Sequence, residues 1–292
     1  VGRGLTANSS AELGNALAGV DLSLVPIHVE AGERAPEALA LLLSLAGERE
    51  SKAPAEVHAG FDPVGVTAFS GQPIALPMAE AVLHFEANGL AGTVVRADGR
   101  VFAEAGATPA VELAGALTSM VSALKVLDGA GIPAERALPR ISIALSADQD
   151  QFATIAKLRA MRRLHSLVAE ACGVSLAAEI HVTTAARMLT TADPQTNLLR
   201  LTIAAMAAVL GGADAVNVLP FDPAGSAFAG RVSRNIQSLM LEEAQMGLFC
   251  DPGAGSGTIE ALTDRIADAA WNLFQASGAG DPAWLTDGRA AA

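Results

Sequence analysis

The chain contains no tyrosine, and only two tryptophans and nine phenylalanines occur among its 292 residues. The missing tyrosines remove the phenol group from any site, both as a general acid and as a hydrogen-bond donor. Cysteine is also scarce: the chain has only Cys172 and Cys250, which lie far apart and in no CxxC spacing. Isolated cysteines are typical of proteins in a reducing compartment, where they serve as small apolar residues. Their spacing gives no basis for a disulfide or a metal-binding pair.

Positive charge is the next deficit: 19 basic residues face 31 acidic ones, and the formal net charge is −12. Nucleic-acid surfaces need a positive excess, so no nucleic-acid partner is expected. Uninterrupted apolar runs fall short of the roughly 20 residues of a membrane-spanning helix, and the N-terminus lacks a signal-peptide core. We therefore expect a cytoplasmic protein with no membrane partner. Because the chain begins with Val1 and not Met, we expect it to start inside a longer product or to follow trimming.

What the chain does have is a regular alternation of short apolar segments with helical ones, and its 51% hydrophobic content can fill a large core. Strands are predicted at 4–7, 22–29, 55–61, 92–97, 140–146, 178–183 and 215–219. Helices are predicted at 9–18, 35–47, 74–89, 108–130, 149–171, 194–211, 225–247 and 258–277. This pattern favours an α/β fold, a (β/α)8 TIM barrel, over an open doubly wound sheet. The barrel lacks its first strand, which we expect upstream of Val1 because closure leaves no edge unpaired.

The helix predicted at 194–211 has clear end signals. Asp193 and Pro194 predict its start, with a carboxylate at the cap and proline at the first position. Gly211 and Gly212 predict its end. Since it is apolar nearly all round, we expect it to be packed on most sides.

Several residues could serve a site. Arg100 and Glu104 follow the strand at 92–97, where a barrel places catalytic groups. A solvated turn with a helix-start acid is the simpler interpretation of these residues. Arg140 and Ser142 stand at a strand start, where the arginine could bind an anion or pair with a nearby acid. The glycine-rich stretch 253–257 lacks the Lys-Ser/Thr ending of a phosphate loop and is interpreted as a connection.

Histidines occur at positions 28, 58, 84, 165 and 181, with no HxH or HxxxH pair, so no metal site is predicted. His28, His58 and His181 fall on predicted strands, whereas His84 and His165 fall on helices, where structural roles are expected. Arg231 and Arg234 lie one helical turn apart, in a helix that ends with Glu242 and Glu243. A solvated, charge-balanced face explains them.

The amino-acid sequences of several blocks resemble those of the methylmalonyl-CoA mutase family. The blocks are Arg187-Met188-Leu189-Thr190, Asn197-Leu198-Leu199-Arg200, Gly211-Gly212-Ala213-Asp214, Leu219-Pro220-Phe221-Asp222, Arg234-Asn235-x-Gln237, Glu104-Ala105-Gly106-Ala107 with Glu112, Ile155 to Ala160, and Asp251-Pro252 to Thr263. They follow the family in order and spacing, and they are most similar to the small (β) subunit of the heterodimeric bacterial enzymes. The resemblance implies an acyl-CoA mutase-type TIM barrel over 1–275. It also implies that 276–292 begins a linker to a cobalamin-binding domain that this chain lacks.

The same resemblance implies chemistry that this chain does not carry. Catalytic members have a Tyr-His pair where this chain has Arg100 and Val101, and the arginine that binds the substrate carboxylate falls near Phe69. Their radical-steering tyrosine belongs to a segment absent here. No Asp-x-His-x-x-Gly cobalamin motif occurs either. Because all these groups are missing, no catalytic residue is expected in this chain. Adenosylcobalamin is expected for the assembly and not on this chain. Arg140, Ser142 and His181 match positions that help to hold CoA.

Three hypotheses follow. The first is the small-subunit component of an adenosylcobalamin-dependent methylmalonyl-CoA mutase, non-catalytic and structural, whose partner is a catalytic large subunit. The second is a fragment of a catalytic barrel that acts on a related acyl-CoA. The third is an unrelated barrel lyase, which uses a metal or a Schiff-base lysine; its candidates Lys52, Lys125 and Lys157 all fall on predicted helices or loops.

Overall fold

Helices and strands alternate throughout the described part of the chain. The computed structural model describes residues 7–48, 56–71, 77–222 and 224–281. Within them the strands are β1 (Pro26–His28), β2 (Glu56–His58), β3 (Val95–Asp98), β4 (Ile141–Ala147), β5 (Ile180–Thr184) and β6 (Ala215–Asn217). The helices are α1 (Ser10–Ala16), α2 (Ala35–Glu48), α3 (Pro63–Ser70), α4 (Met78–Ala87), α5 (Arg100–Glu104), α6 (Pro109–Gly129), α7 (Ala134–Ala137), α8 (Gln151–Ala171), α9 (Thr196–Leu210), α10 (Ala227–Ser238) and α11 (Gly257–Ala276). A π-helical turn (Leu239–Glu243) follows α10.

The chain forms two compact units. Unit 1 comprises residues 1–96 and 123–142, and unit 2 comprises residues 97–122 and 143–292. In unit 1, β1 and β2 pair in parallel, with Ile27 opposite Val57. Beyond β2 the chain runs beside the segment that leads into β3, because the Ala59 amide donates to the Thr93 carbonyl at 2.9 Å. Unit 1 is therefore built from parallel neighbours that follow one another in sequence.

Unit 2 is built on a parallel sheet that is covered by long helices. β3, β4, β5 and β6 are neighbours in that order, and β5 pairs in parallel with both β4 and β6. Every residue of β4 is buried, as expected for a parallel strand with both faces covered. Helix α8 packs against both α9 and α11. The apolar side chains of these helices and strands exclude water from the core of unit 2.

The structure confirms an α/β fold with parallel strands, and six of the predicted strands appear with shifted ends. The strand predicted at 22–29 is shorter, since β1 covers only Pro26–His28. The strand predicted at 4–7 lies, apart from Ala7, outside the described residues. Lys52 also lies outside them. Helices α3, α5 and α7 were not predicted; with eight residues or fewer, each gives only a weak helical period, and α1, which is as short, was predicted with longer bounds.

The predicted start of α9 is wrong by two residues. The helix begins at Thr196, and the Asp193 carboxylate instead accepts a hydrogen bond from the Thr196 hydroxyl, which lowers the pKa of Asp193. Gly211 ends the helix as predicted. Packing on most sides is confirmed, since only Leu199, Thr202 and Ile203 of its fifteen residues are exposed. The apolar composition of α9 therefore reflects its burial.

Helix α6 bears on the expectation of no membrane-spanning run. By length and composition it could cross a membrane, although the sequence appeared too often interrupted for that. In the fold, 61% of its apolar window is buried, and the core helices of soluble proteins pass the same test. The helix is therefore weak grounds for a membrane span, and packing accounts for its apolar character.

His165 makes the stability of the fold depend on pH. It lies on α8, only 2% exposed, and its Nδ1 atom has no hydrogen-bond partner. Burial, with a smaller contribution from the Arg162 charge, lowers the pKa of His165 below 6.5. The folded state therefore favours the neutral ring, so this contribution to stability is complete above pH 6.5 and is lost as the pH falls below it.

We expect the free energy of unfolding to decrease between pH 7 and 5 with a His165 component of at most about 1.4 kcal/mol per pH unit. Replacement His165→Leu should remove that component, because leucine does not titrate. Denaturant titrations at several pH values measure it, and His84→Leu, at an exposed histidine of α4, is the matched control. An unchanged slope in His165→Leu would contradict the assignment.

Candidate functional site

One face of the unit 2 sheet carries small polar side chains at the carboxyl ends of its strands. The register places Ser146 opposite Thr183, and Thr183 opposite Asn217. Because successive residues of a strand point to opposite faces, these three side chains share one face. The preceding row, Leu145, Val182 and Val216, lies on the other face. The carboxyl ends of parallel strands are where α/β proteins place their ligands, so this polar row is the candidate site.

Arg100 lies beside this row and is held there by internal partners. Its guanidinium forms a salt bridge with Asp98, at 2.5 Å between Nη2 and Oδ2. Its Nη1 atom donates to the Thr183 hydroxyl at 2.9 Å. The Arg100 and Asp98 side chains are only 17% and 15% exposed. The arginine that the sequence placed at the end of a strand therefore joins β3 to β5.

Glu104 has a structural role at the same edge of the sheet. Its two carboxylate oxygens accept the backbone amides of Ala186 and Arg187, at 2.7 and 2.9 Å. These amides begin the turn that follows β5. The turn is also held by Arg187, whose guanidinium donates to Asp148 at 3.1 Å. Glu104 therefore has a structural role, but it lies at the end of α5 and not at the helix start that the sequence suggested.

A buried ion pair holds the end of β4, which carries Ser146 of the polar row. Glu112 of α6 and Lys157 of α8 meet at 2.5 Å, and their side chains are 2% and 5% exposed. The other Glu112 oxygen accepts the Ser146 amide at 2.6 Å. Burial raises the pKa of Glu112, against the opposing effects of Lys157 and the Ser146 amide. The pair thus satisfies a backbone donor at the end of β4 and ties two helices to that strand.

The residues proposed for CoA lie in different units. In unit 1, Arg140 donates to the Gly92 carbonyl at 2.9 Å and lies 5.5 Å from the Phe85 ring centre, and Ser142 donates to the Val95 carbonyl at 3.3 Å. In unit 2, His181 is 9% exposed, and its Nε2 atom lies 3.1 Å from Glu179. Each of the three side chains therefore already has a partner within its own unit.

The remaining candidates lie outside the polar row. The rings of His28 and His58 stack at 4.3 Å, and His58 also bonds Thr93 at 2.9 Å. In the 253–257 stretch the Gly255 amide donates to Glu260, in accordance with a connecting loop. Arg231 lies over the Phe228 ring. Both cysteines are free.

Sequence reasoning missed two features of unit 2. It considered Lys157 only as a Schiff-base candidate, although the Glu112 and Lys157 blocks were both noticed; their pairing needs three-dimensional information. It also missed a cavity of about 730 Å³ beside α8. The only sequence signal for the cavity is the apolar run around Leu248 and Phe249, which fits neither a helical nor a strand period.

The fold and the polar row define the class: a parallel α/β domain with its candidate site at the carboxyl ends of the strands. Residues 1–279 match the model of the family described as methylmalonyl-CoA mutase. The chain belongs to the methylmalonyl-CoA mutase family, as its sequence blocks indicated.

Individual relatives are more specific than the family model, because they are named as small subunits. The chain is 41% identical over 277 residues to a protein of Mycobacterium tuberculosis named "Probable methylmalonyl-CoA mutase small subunit". It is 40% identical over 275 residues to the "Methylmalonyl-CoA mutase small subunit" of Streptomyces virginiae. These alignments cover 89% and 90% of this chain but only 44% of each relative. A third small subunit, from Propionibacterium freudenreichii, is 34% identical over 227 residues, which cover 75% of this chain and 36% of that protein. The chain thus spans less than half the length of these relatives.

Breaking the buried ion pair should destabilise the fold. We expect Lys157→Met to cost about 3–5 kcal/mol of unfolding free energy, because it leaves the Glu112 carboxylate buried without its cation. The double variant Glu112→Gln with Lys157→Met should be more stable than Lys157→Met alone, since the amide oxygen can still accept from Ser146. Urea unfolding measures all three proteins, and Lys125→Met, at an exposed position of α6, is the control. Equal loss in single and double variants would contradict this account.

Proposed function

We propose that this chain is the small-subunit component of an adenosylcobalamin-dependent methylmalonyl-CoA mutase, which interconverts methylmalonyl-CoA and succinyl-CoA. Its role is structural and not catalytic, and its partner is a catalytic large subunit. Support comes from the relatives named as small subunits and from the environment of Arg100. The Asp98–Arg100–Thr183 contacts carry the proposal. They lie at the carboxyl ends of the strands, and the resemblance implies that catalytic members have a Tyr-His pair at the positions of Arg100 and Val101.

The losses of chemistry agree with this role. Arg100 and Val101 stand where the resemblance calls for a phenol and an imidazole, and the chain has no tyrosine to replace the phenol. Phe69, near the expected carboxylate-binding arginine, is 82% exposed and carries no charge. A radical reaction needs groups that orient the substrate and exclude water, and these positions supply neither. The second hypothesis, a catalytic barrel for another acyl-CoA, gains no support.

The cobalamin does not fit the residues of this chain. The family's motif places a histidine two residues after an aspartate, and no histidine here has that spacing. His58 and His181 follow Glu56 and Glu179 instead, and His165 is buried on α8. The proposal therefore assigns the cofactor, which supplies the radical when bound, to no residue of 1–292. The proposal gives this chain no step at the cobalamin.

For the fold we propose the closed form of the α/β architecture. Residues 1–275 would form one acyl-CoA mutase-type (β/α)8 barrel, and 276–292 would begin the linker to a cobalamin-binding domain. Parallel strands that neighbour one another in sequence order support this proposal, since barrel walls have that order. A barrel of this type also fits a cytoplasmic protein without a membrane or nucleic-acid partner.

The third hypothesis, a lyase with a Schiff-base lysine, has no support among the described residues. Lys157 is buried in the ion pair with Glu112, and Lys125 lies on the exposed side of α6. Neither lysine belongs to the polar row at the strand ends, where a Schiff base would meet its substrate. The mutase assembly is therefore the function that we retain.

Isomerase assays with adenosylcobalamin and methylmalonyl-CoA test the proposal. We expect no turnover from this chain alone, full turnover only with the large subunit, and a 1:1 complex in sedimentation. The large subunit must also be assayed alone, because activity of the mixture does not assign the site. Turnover by the purified chain would contradict a structural role, and failure to bind the large subunit would contradict the partnership.

A separate titration tests the proposed CoA contacts Arg140, Ser142 and His181. We expect weak CoA binding in a calorimeter, and we expect His181→Ala to weaken it by about fivefold, the loss of one hydrogen bond of roughly 1 kcal/mol. His84→Ala, at an exposed histidine of α4, should bind as the parent does. No binding heat from the parent chain would remove CoA from the proposal and leave the subunit role untouched.

A further inference from the structure

Strands β1 and β2 bring two histidines together in unit 1. His28 and His58 are the last residues of their strands, and the parallel register places them opposite one another. Their rings stack with centroids 4.3 Å apart, and a ring nitrogen of one lies within 4.8 Å of a ring nitrogen of the other. The sequence predicts no metal site because it has no HxH or HxxxH pair, but strand pairing joins histidines that are far apart in the chain. The carboxyl ends of parallel strands are also where ligands commonly bind.

A carboxylate stands on the same face of β2 as His58. Glu56 precedes His58 by two residues, so the two side chains point to the same side of the strand. The Glu56 Oε1 atom lies 3.8 Å from the His58 Nε2 atom, and the Glu56 side chain is 42% exposed. Two imidazoles and one carboxylate are a ligand set for zinc and related divalent transition metals. The ends of β1 and β2 therefore carry such a set.

Thr93 fixes the ring of His58. The His58 Nδ1 atom lies 2.9 Å from the Thr93 hydroxyl, and these residues are only 2% and 4% exposed. When Nδ1 carries the proton and donates it to that hydroxyl, Nε2 presents its lone pair on the side of Glu56. A hydrogen bond from the second ring nitrogen is what orients the histidines of metal sites. The surroundings of His58 thus position its ring as a ligand.

The distances require only small adjustments. Ligand atoms that lie 2.0–2.1 Å from a tetrahedral zinc ion are about 3.4 Å from one another. The distance of 3.8 Å between His58 and Glu56 is close to this value. His28 is exposed, so its ring can turn until both histidines present a nitrogen to the same ion. Its exposure also lets water take the fourth position, as in zinc sites with three protein ligands.

The charges beside the site are compatible with a cation. Arg96 is a positive charge near the end of β1, because its guanidinium donates to the Val29 carbonyl at 3.0 Å. Its Nη1 atom lies 3.4 Å from the Glu30 carboxylate, so this pair adds no net charge. Glu56 therefore contributes one negative charge to the ion. The net charge of −12 on the chain also attracts cations.

We propose that His28, His58 and Glu56 bind one divalent transition-metal ion such as Zn²⁺, with Thr93 as a positioning residue. Two neutral imidazole nitrogens and one carboxylate oxygen coordinate the ion, and solvent supplies the fourth ligand. The ion joins β1 to β2, which are each only three residues long. Metal binding to the folded chain stabilises it, because the unfolded chain holds no preformed site.

Titration of the full chain, without a histidine tag, with Co²⁺ and then Zn²⁺ tests this site. At about pH 7.5 most imidazoles are neutral and can bind a metal. We expect one equivalent of Co²⁺ to bind with visible d–d absorption and without a thiolate-to-cobalt charge-transfer band, since neither cysteine is a ligand. Zn²⁺ should displace the Co²⁺ and raise the Tm of the chain.

Variants assign the ligands. Thr93→Val should weaken binding by about 10–100-fold, the usual effect of losing an outer hydrogen bond, and Thr93→Ser should restore it. His28→Ala and Glu56→Gln should weaken binding further, because each removes a group that touches the ion. Both positions are exposed or half-exposed, so the metal-free variants should keep the parental circular dichroism and Tm. His84→Ala, at an exposed histidine of α4 in unit 1, is the matched control and should bind as the parent does.

Each outcome supports or overturns the site. One equivalent that is lost in His28→Ala and Glu56→Gln and kept in His84→Ala would support it. Parental binding by His28→Ala, a thiolate charge-transfer band, or no stoichiometric binding by the parent would overturn it. Binding that His28→Ala abolishes and Glu56→Gln leaves unchanged would overturn this ligand set. These measurements do not depend on the large subunit, so the proposed function is tested separately.

Discussion

The arrangement of unit 2 depends on one buried carboxylate. β4 extends beyond the last bond from β3, which joins the Gly99 amide to the Ala144 carbonyl, so the Ser146 amide needs another acceptor. Glu112 provides it, and a carboxylate buried there needs a cation, which Lys157 supplies. The close approach of α6 also constrains the turn after β3, at Gly99. A Cβ atom at Gly99 would lie 2.8 Å from the Glu112 carbonyl oxygen, so only glycine lets α6 approach so closely.

The ion pair holds the end of β4, and Glu112 lies against the turn after β3. It therefore also positions Arg100, which faces the polar row. Arg100 follows Gly99 directly, and its guanidinium bonds Asp98 and Thr183. A bidentate arginine–carboxylate pair is geometrically demanding and leaves few donors for a ligand. The strand ends beside the polar row therefore carry cross-strand bonds, which stabilise the sheet.

Much of this fold could be predicted from periodicity, and the site could not. β4 and β5 were predicted to within a residue or two, because parallel strands covered on both faces are short, apolar and continuous. Contacts made by single side chains across 34 to 83 residues, such as Glu112 with Ser146 or Arg100 with Thr183, leave no local pattern. The Asp-Pro signal shows the same limit. It marks the start of α3 at Pro63, where Asp62 caps the Gly65 amide, but not that of α9.

The interior and the surface of unit 2 therefore differ in a way that bears on function. Inside, the polar groups around the strand ends are largely satisfied by one another, which stabilises the fold and leaves little capacity for a substrate. Outside, the 239–250 segment keeps Leu248 and Phe249 in water, although burying each would contribute about 1.5–3 kcal/mol. The polar groups of unit 2 thus stabilise its own strands, whereas part of its apolar surface stays exposed to water.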